Sequence, residues 1–176
     1  PCISPVTTRF RKKDLTKLLN LTRAAARVVI CNDAEESGAG AAGALETASA
    51  LHEAGRDVRI AVLPRPEGTD KIDVNEFLKA NSPEDFEAVL DQAKRYVEHV
   101  IEAIPKETPA TDLEPLLAPV LEAVSVAGKI EGDAYLDAIV KRFGIRRRAL
   151  SSTLKGVEAD QRRKATARRV EENETP

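Results

Sequence analysis

VVICNDAEESGAG, residues 28–40, is the stretch on which the rest of the chain turns. Val28 to Cys31 run apolar without interruption, the pattern of a strand covered on both faces of a parallel sheet. Asn32 and Asp33 end the run, and acids and glycines follow at once. After Gly40 the chain reads AAGALETASALHEAG, an Ala-rich helical stretch with Leu45, Ala48 and Leu51 on one face and Gly55 as a stop. The order is therefore buried strand, acidic turn, helix. In open parallel sheets, ligands bind at the carboxyl ends of strands. Asp33 and Glu35 stand at that end, where two carboxylates one residue apart can share a hard cation such as Mg²⁺ or Mn²⁺.

Working downstream, Val58, Ile60, Val62 and Leu63 predict the next strand, so strand–helix–strand passes give an α/β fold with a parallel sheet and right-handed crossovers. The loop LPRPEGTDKID, residues 63–73, leaves the same sheet edge that carries Asp33. Asp70 and Asp73 can thus join Asp33 and Glu35, with Mg²⁺ as the natural neutraliser of the four. A short helix is expected over 74–79. Ser82-Pro83-Glu84-Asp85 is a helix start with a cap, a proline and first-turn acids, and one long helix is predicted from there to 104. Upstream, 1–6 reads as a short strand and 14–26 as a helix with leucines at helical spacing. Gly38, Gly40 and Gly43 fit G-x-G-x-x-G. The acids just before them disfavour a pyrophosphate, and close helix–sheet packing is the preferred reading over a nucleotide-cofactor site.

The segment 105–109, bounded by prolines, is the clearest linker. It divides an α/β domain, 1–104, from an all-helical module, 105–176. Helices are predicted over 112–127, 133–143 and 145–155, with Gly144 as a turn, and the charged tail after Gly156 is expected to fray. The helix–glycine–helix run around Gly144 resembles a helix-turn-helix. Eleven Lys and Arg lie between 141 and 169 against two acids, Glu158 and Asp160. Arg146, Arg147, Arg148 and Lys155 on the second helix are the candidate phosphate contacts. Docking of another protein by a helical adaptor explains the same charges equally well.

Composition narrows the class. The chain has 176 residues, 32% charged and 42% hydrophobic, with a net charge of −2. As a whole it is no polyanion binder, so local charge decides. It has no 18-residue apolar run and hence no expected membrane span. Cys2 and Cys31 lie in apolar runs and read as reduced thiols of a cytoplasmic protein. His52 and His99 have no partner at metal-ligand spacing, and no Ser-His-Asp or Cys-His arrangement is readable. Met is absent and the chain opens Pro-Cys-Ile, from which an internal piece of a longer protein is expected.

The run from Val28 through Leu78 resembles the second half of a Toprim domain, in particular that of bacterial-type DNA primases and of phage or plasmid primases. In that family a buried strand ends in D-x-D, then a small residue, glycine and a helix; a strand ending Leu-Pro, a glycine and a second acidic segment follow. Asp33 and Glu35 match the first pair, with Glu in place of the second Asp. Gly38 matches the glycine, Asp70 the later acid, and Asp73 its partner at wider spacing. Pro5-Val6-Thr7-Thr8 stands where the family has Gly-Thr.

The resemblance covers residues 1–80 and implies a Toprim-like core truncated at its N-terminus, since the family's catalytic glutamate lies on an earlier strand and no residue here inherits it. It further implies Mg²⁺-dependent nucleotidyl transfer making primers for DNA replication. Asp33 and Glu35 would be the catalytic acids, and DNA template and nucleoside triphosphates the partners. The stretch 82–155 is similar to the segment joining a primase core to a helicase-binding part, which adds a replicative helicase as a candidate partner. The fragment by itself is expected to be inactive. A Toprim nuclease and a non-catalytic replication adaptor on a degenerate Toprim scaffold are the alternatives. A topoisomerase is disfavoured, because Tyr96 and Tyr135 fall in helices away from the acidic edge.

Overall fold

A computed structural model describes residues 10–174, with side chains except at 12, 13, 164, 165 and 167–174. The strand expected over 1–6, Cys2 and the segment 5–8 lie outside the described residues. The described residues up to His99 form one compact unit and those from Val100 a second.

The first unit is mixed α/β. Helix α1 is Lys12–Leu21, strand β1 Val28–Asn32, strand β2 Ala34–Glu35, helix α2 Ala39–Glu53 and strand β3 Val58–Val62. Strand β4 is Lys71–Ile72, helix α3 Val74–Ala80, helix α4 Pro83–Asp91, strand β5 Lys94–Arg95 and helix α5 Tyr96–Ala103. β1 and β3 pair in parallel, Val28 opposite Val58 through Asn32 opposite Val62. α2 is the crossover between them and packs on both strands. Its inner face is small: Ala44 and Ala48 are buried beside Leu51, so the helix lies close to the sheet.

The sheet is not wholly parallel. β5 runs antiparallel to β3, with Ile60 opposite Lys94 and Arg59 opposite Arg95. A second ladder, β2 with β4, is antiparallel. The expected helix over 82–104 is accordingly two helices with a break. α4 ends at Asp91 with Gln92 as its C-cap, Ala93 turns back with its N–H on the Leu90 carbonyl, and residues 94–95 pair with β3. The periodicity of the apolar positions is the same in both halves, but the open backbone groups of β3 take the two residues between them. Ala93, Tyr96 and Val97 are buried at that junction.

The start of α4 is as expected. Ser82 and Asp85 form a reciprocal capping box ahead of Pro83, which satisfies two of the orphan N–H groups of the first turn.

The second unit takes up α5 from Val100 and is helical beyond it: α6 is Ala110–Val126, α7 Lys129–Phe143 and α8 Arg147–Glu174. α6 packs against both α7 and α8 through Leu113, Leu117, Val120, Leu121 and Val124, which are buried. Pro115 and Pro119 sit inside α6. Gly144 closes α7 at φ +66°, the left-handed cap that glycine adopts without a Cβ clash. The charged tail does not fray after Gly156; α8 continues to Glu174. Among the described residues no helix is long and apolar enough to cross a membrane.

Candidate functional site

The site is built by the end of β1, the first turn of α2 and the β2–β4 ladder. Asn32 donates from Nδ2 to the Gly40 carbonyl at 3.0 Å, tying the strand end to the helix start. Gly38 precedes α2 at φ +73°. Gly40 is there for space: a Cβ on it would stand 2.1 Å from the Asp33 carbonyl oxygen. Of the pattern, Gly40 thus serves close packing of helix on strand, while Gly38 serves the left-handed turn, with open space where its Cβ would be. The Gly40 N–H donates to Glu35 Oε1 at 2.8 Å, so this carboxylate sits at the positive end of α2.

The β2–β4 ladder sets the rest. Ala34 lies opposite Ile72, and Glu35 opposite Lys71. Side chains alternate along a strand, and directly opposite residues share a face. Ala34 and Ile72 therefore take the inner face, where Ile72 joins Leu63 and Phe77 with Cys31, Ala34, Val74, Phe86 and Val89 packed around them. The outer face receives Asp33, Glu35, Lys71 and Asp73. Asp33 Oδ2 accepts from Lys71 Nζ at 2.8 Å. The hydrogen bond and charge of Asp33 raise the pKa of Lys71, and Glu35 and Asp73 push it the same way.

The four carboxylates named from the sequence are placed differently from one another. Asp33 and Glu35 are half-buried at the strand end. Asp73 is the N-cap of α3: its Oδ1 accepts from the Glu76 N–H at 2.7 Å, and Glu76 returns a bond to the Asp73 N–H. Asp70 enters through its backbone, its carbonyl accepting from the Glu36 N–H at 3.0 Å, while the residue is exposed. It falls in step with Ile72 along the strand, not with Lys71. Among the described residues no three His, Cys, Asp or Glu side chains are grouped to hold a metal ion. As arranged, the acids do not present the oxygen set that Mg²⁺ or Mn²⁺ requires.

Lys71 was missed as a site residue in the sequence. The signal was its position between Asp70 and Asp73 in a loop heading for the acidic edge. Cys31 lies just beneath. Burial first, and then the charge of Asp33, push its thiol up to about 11, which keeps it protonated and unreactive.

In the helical unit the basic residues divide. Arg147 forms ion pairs with Asp133 and Asp137, one turn apart on α7, and clips α8 to that helix. Arg142 donates to the Glu102 and Ile104 carbonyls at 3.0 and 2.8 Å and lies over the Phe143 ring. Arg146, Arg148, Lys155 and Arg162 are exposed. The last three recur every seven residues and so share one side of α8.

No protein-family model matches the chain, and no curated protein does. Solved structures do. A DNA primase domain from Pseudomonas aeruginosa is 19% identical at a TM-score of 0.58, covering 80% of this chain and 44% of that one. The DnaG catalytic core is 25% identical at 0.54, covering 77% and 44%. The Aquifex aeolicus primase, in its zinc-binding and RNA polymerase domains, is 18% identical at 0.53, covering 77% and 31%. The chain spans less than half the length of each. Its fold is like that of DNA primase catalytic cores: mixed α/β with a small mixed sheet.

Proposed function

We propose that this chain is the acidic-edge part of a Toprim-type module of a DNA primase. The activity it serves is nucleotidyl transfer from nucleoside triphosphates on a DNA template, making primers for replication. The observation that carries the reading is the arrangement at the end of β1. There the parallel strand β1, half-buried except at Ile30, leads into Asp33 and Glu35, and a two-residue ladder brings the 70–73 segment beside them, in a fold shared with solved primase cores.

In this reading Asp33 and Glu35 are the catalytic acids, and Asp70 and Asp73 border them. The Mg²⁺ or Mn²⁺ that the Toprim resemblance implies would neutralise nucleotide phosphates. The carboxylates as placed do not form its ligand set. Arg148 and Lys155, with Arg146, would meet the template backbone from the helical module, while Arg147 serves the fold. A replicative helicase is a further partner of that module.

The test is primer synthesis by the protein carrying this chain, on single-stranded template. Asp33→Asn keeps the shape and removes the charge, and it should abolish primers while the fold is retained. Near-normal primer yield from this variant refutes the reading.

One observation favours a second reading, a replication adaptor on a degenerate Toprim scaffold. Asp33 is tied to Lys71 and Asp73 to a helix cap, so both have structural employment without catalysis. That reading expects Asp33→Asn to leave primer synthesis intact, and Arg148→Ala with Lys155→Ala to disrupt partner docking instead of DNA affinity.

A further inference from the structure

We propose that Lys71 is the built-in cation of the acidic edge, standing where the Toprim reading puts a metal, so that a divalent ion reaches these carboxylates only by displacing the Lys71 ammonium. The inference rests on the proposed function, and starts from the disagreement between that reading and the residue positions.

Three observations meet at Lys71. The first is register: the ladder sets Lys71 directly opposite Glu35, on the face away from the core. Neighbours so placed have Cβ atoms about 5 Å apart. The second is the ion pair: Nζ is 2.8 Å from Oδ2 of Asp33, which is diagonal to Lys71 across the ladder. The third is Asp73, two residues on, whose charge acts on the same ammonium. One cation therefore pairs with Asp33 and stands opposite Glu35 on the same small face.

The register cannot slip to release it. Moving β4 by one residue would turn Lys71 inward and drive Ile72 out of the cluster with Leu63 and Phe77. The ammonium is tethered by the backbone, while its four-carbon stem leaves the head free to swing. Lys71 is half-exposed, so exchange with a solvent ion needs no opening of the fold. A divalent ion brings twice the charge but must dehydrate and collect several oxygens. Two of the carboxylates are already accepting backbone N–H groups, Glu35 from Gly40 and Asp73 from Glu76. The ammonium demands less and holds the edge by default.

The experiment is a Mn²⁺ titration of the full chain, followed by paramagnetic broadening of the amide signals of residues 33–36 and 70–73. It compares wild type, Lys71→Met, Lys71→Arg and Asp33→Asn, and a parallel thermal melt is run in EDTA. Removing one exposed competitor should tighten Mn²⁺ about two- to fivefold in Lys71→Met. Lys71→Arg should match wild type, and Asp33→Asn should lose the broadening. Equal Mn²⁺ affinity in wild type and Lys71→Met overturns the proposal and leaves the metal reading standing. If none of the proteins binds Mn²⁺, the metal reading falls. In that case a lower melting temperature in EDTA for Lys71→Met than for Lys71→Arg still upholds Lys71 as the counter-ion, and equal melting temperatures overturn it.

Discussion

Gly40→Ala should destabilise the acidic edge where α2 meets β1. The added Cβ would lie 2.1 Å from the Asp33 carbonyl oxygen and 3.2 Å from its carbon. Both are backbone atoms of a strand end held by its neighbours, so neither can rotate away. α2 must lift off β1, at roughly 1–3 kcal/mol for an overpacked contact. Lifting breaks or stretches two hydrogen bonds, Gly40 N–H to Glu35 Oε1 and Asn32 Nδ2 to the Gly40 carbonyl, each worth about 1 kcal/mol. Alanine returns up to about 1 kcal/mol as the better helix former. The net loss is roughly 2–4 kcal/mol, or on the order of 8–30 °C in melting temperature for a unit of this size.

A urea titration followed by amide NMR signals of β1 and α2 reads this unit apart from the helical one. Gly156→Ala is the control. A Cβ there meets nothing within 4 Å, and the exchange should stabilise α8 by up to about 1 kcal/mol. If Gly40→Ala shifts the β1 and α2 midpoint by no more than the equivalent of about 0.5 kcal/mol, with an unchanged slope, the close-approach argument is wrong.

Three further outcomes are expected. The Ser82 N–H, and then its hydroxyl, hold the Asp85 carboxyl below its usual range. A depressed folded value means that the capping box contributes above the unfolded pKa of 3.8 and is lost as pH falls through the folded one. Melts from pH 5 to 2 should therefore show a smaller acid loss in Asp85→Asn than in wild type, and parallel curves would refute the box. Alkylation of Cys31 at pH 8, read by peptide mass spectrometry, should be far slower than that of a free thiol, since a thiol near 11 is roughly one part in a thousand thiolate; labelling at the free rate would contradict its burial. Arg148→Ala, Lys155→Ala and Arg162→Ala together should flatten the salt slope of DNA binding by up to about three, while Arg147→Ala should destabilise the helical unit and leave the slope alone; fluorescence anisotropy at several salt concentrations separates these from a protein-docking surface.

What the sequence by itself determined is whatever a short window encodes. The apolar run Val28 to Cys31, closed by Asn32 and Asp33, made β1 and its acidic end legible, although the strand is buried only at Ile30 and half-buried elsewhere, not covered on both faces as the run predicts. The Ala-rich run marked α2, the Ser82-Pro83 start marked α4, and Gly144 marked the end of α7. These are local matters of periodicity, capping and left-handed φ.

Only the tertiary structure decided the ladders. β2, β4 and β5 are two residues each, too short to carry any period, and they exist because a neighbouring strand offers open N–H and C=O groups. That pairing broke the helix expected over 82–104 and turned a parallel sheet into a mixed one. The partners of the charged residues were likewise hidden. Lys71 meets Asp33 across 38 positions of sequence through a register set by Ile72 in the core. Arg147 is spent on Asp133 and Asp137 because two helices fold back on each other. A charge in a sequence has a sign but no neighbour; the neighbour comes from which apolar residues the fold buries, and that is a property of the whole unit.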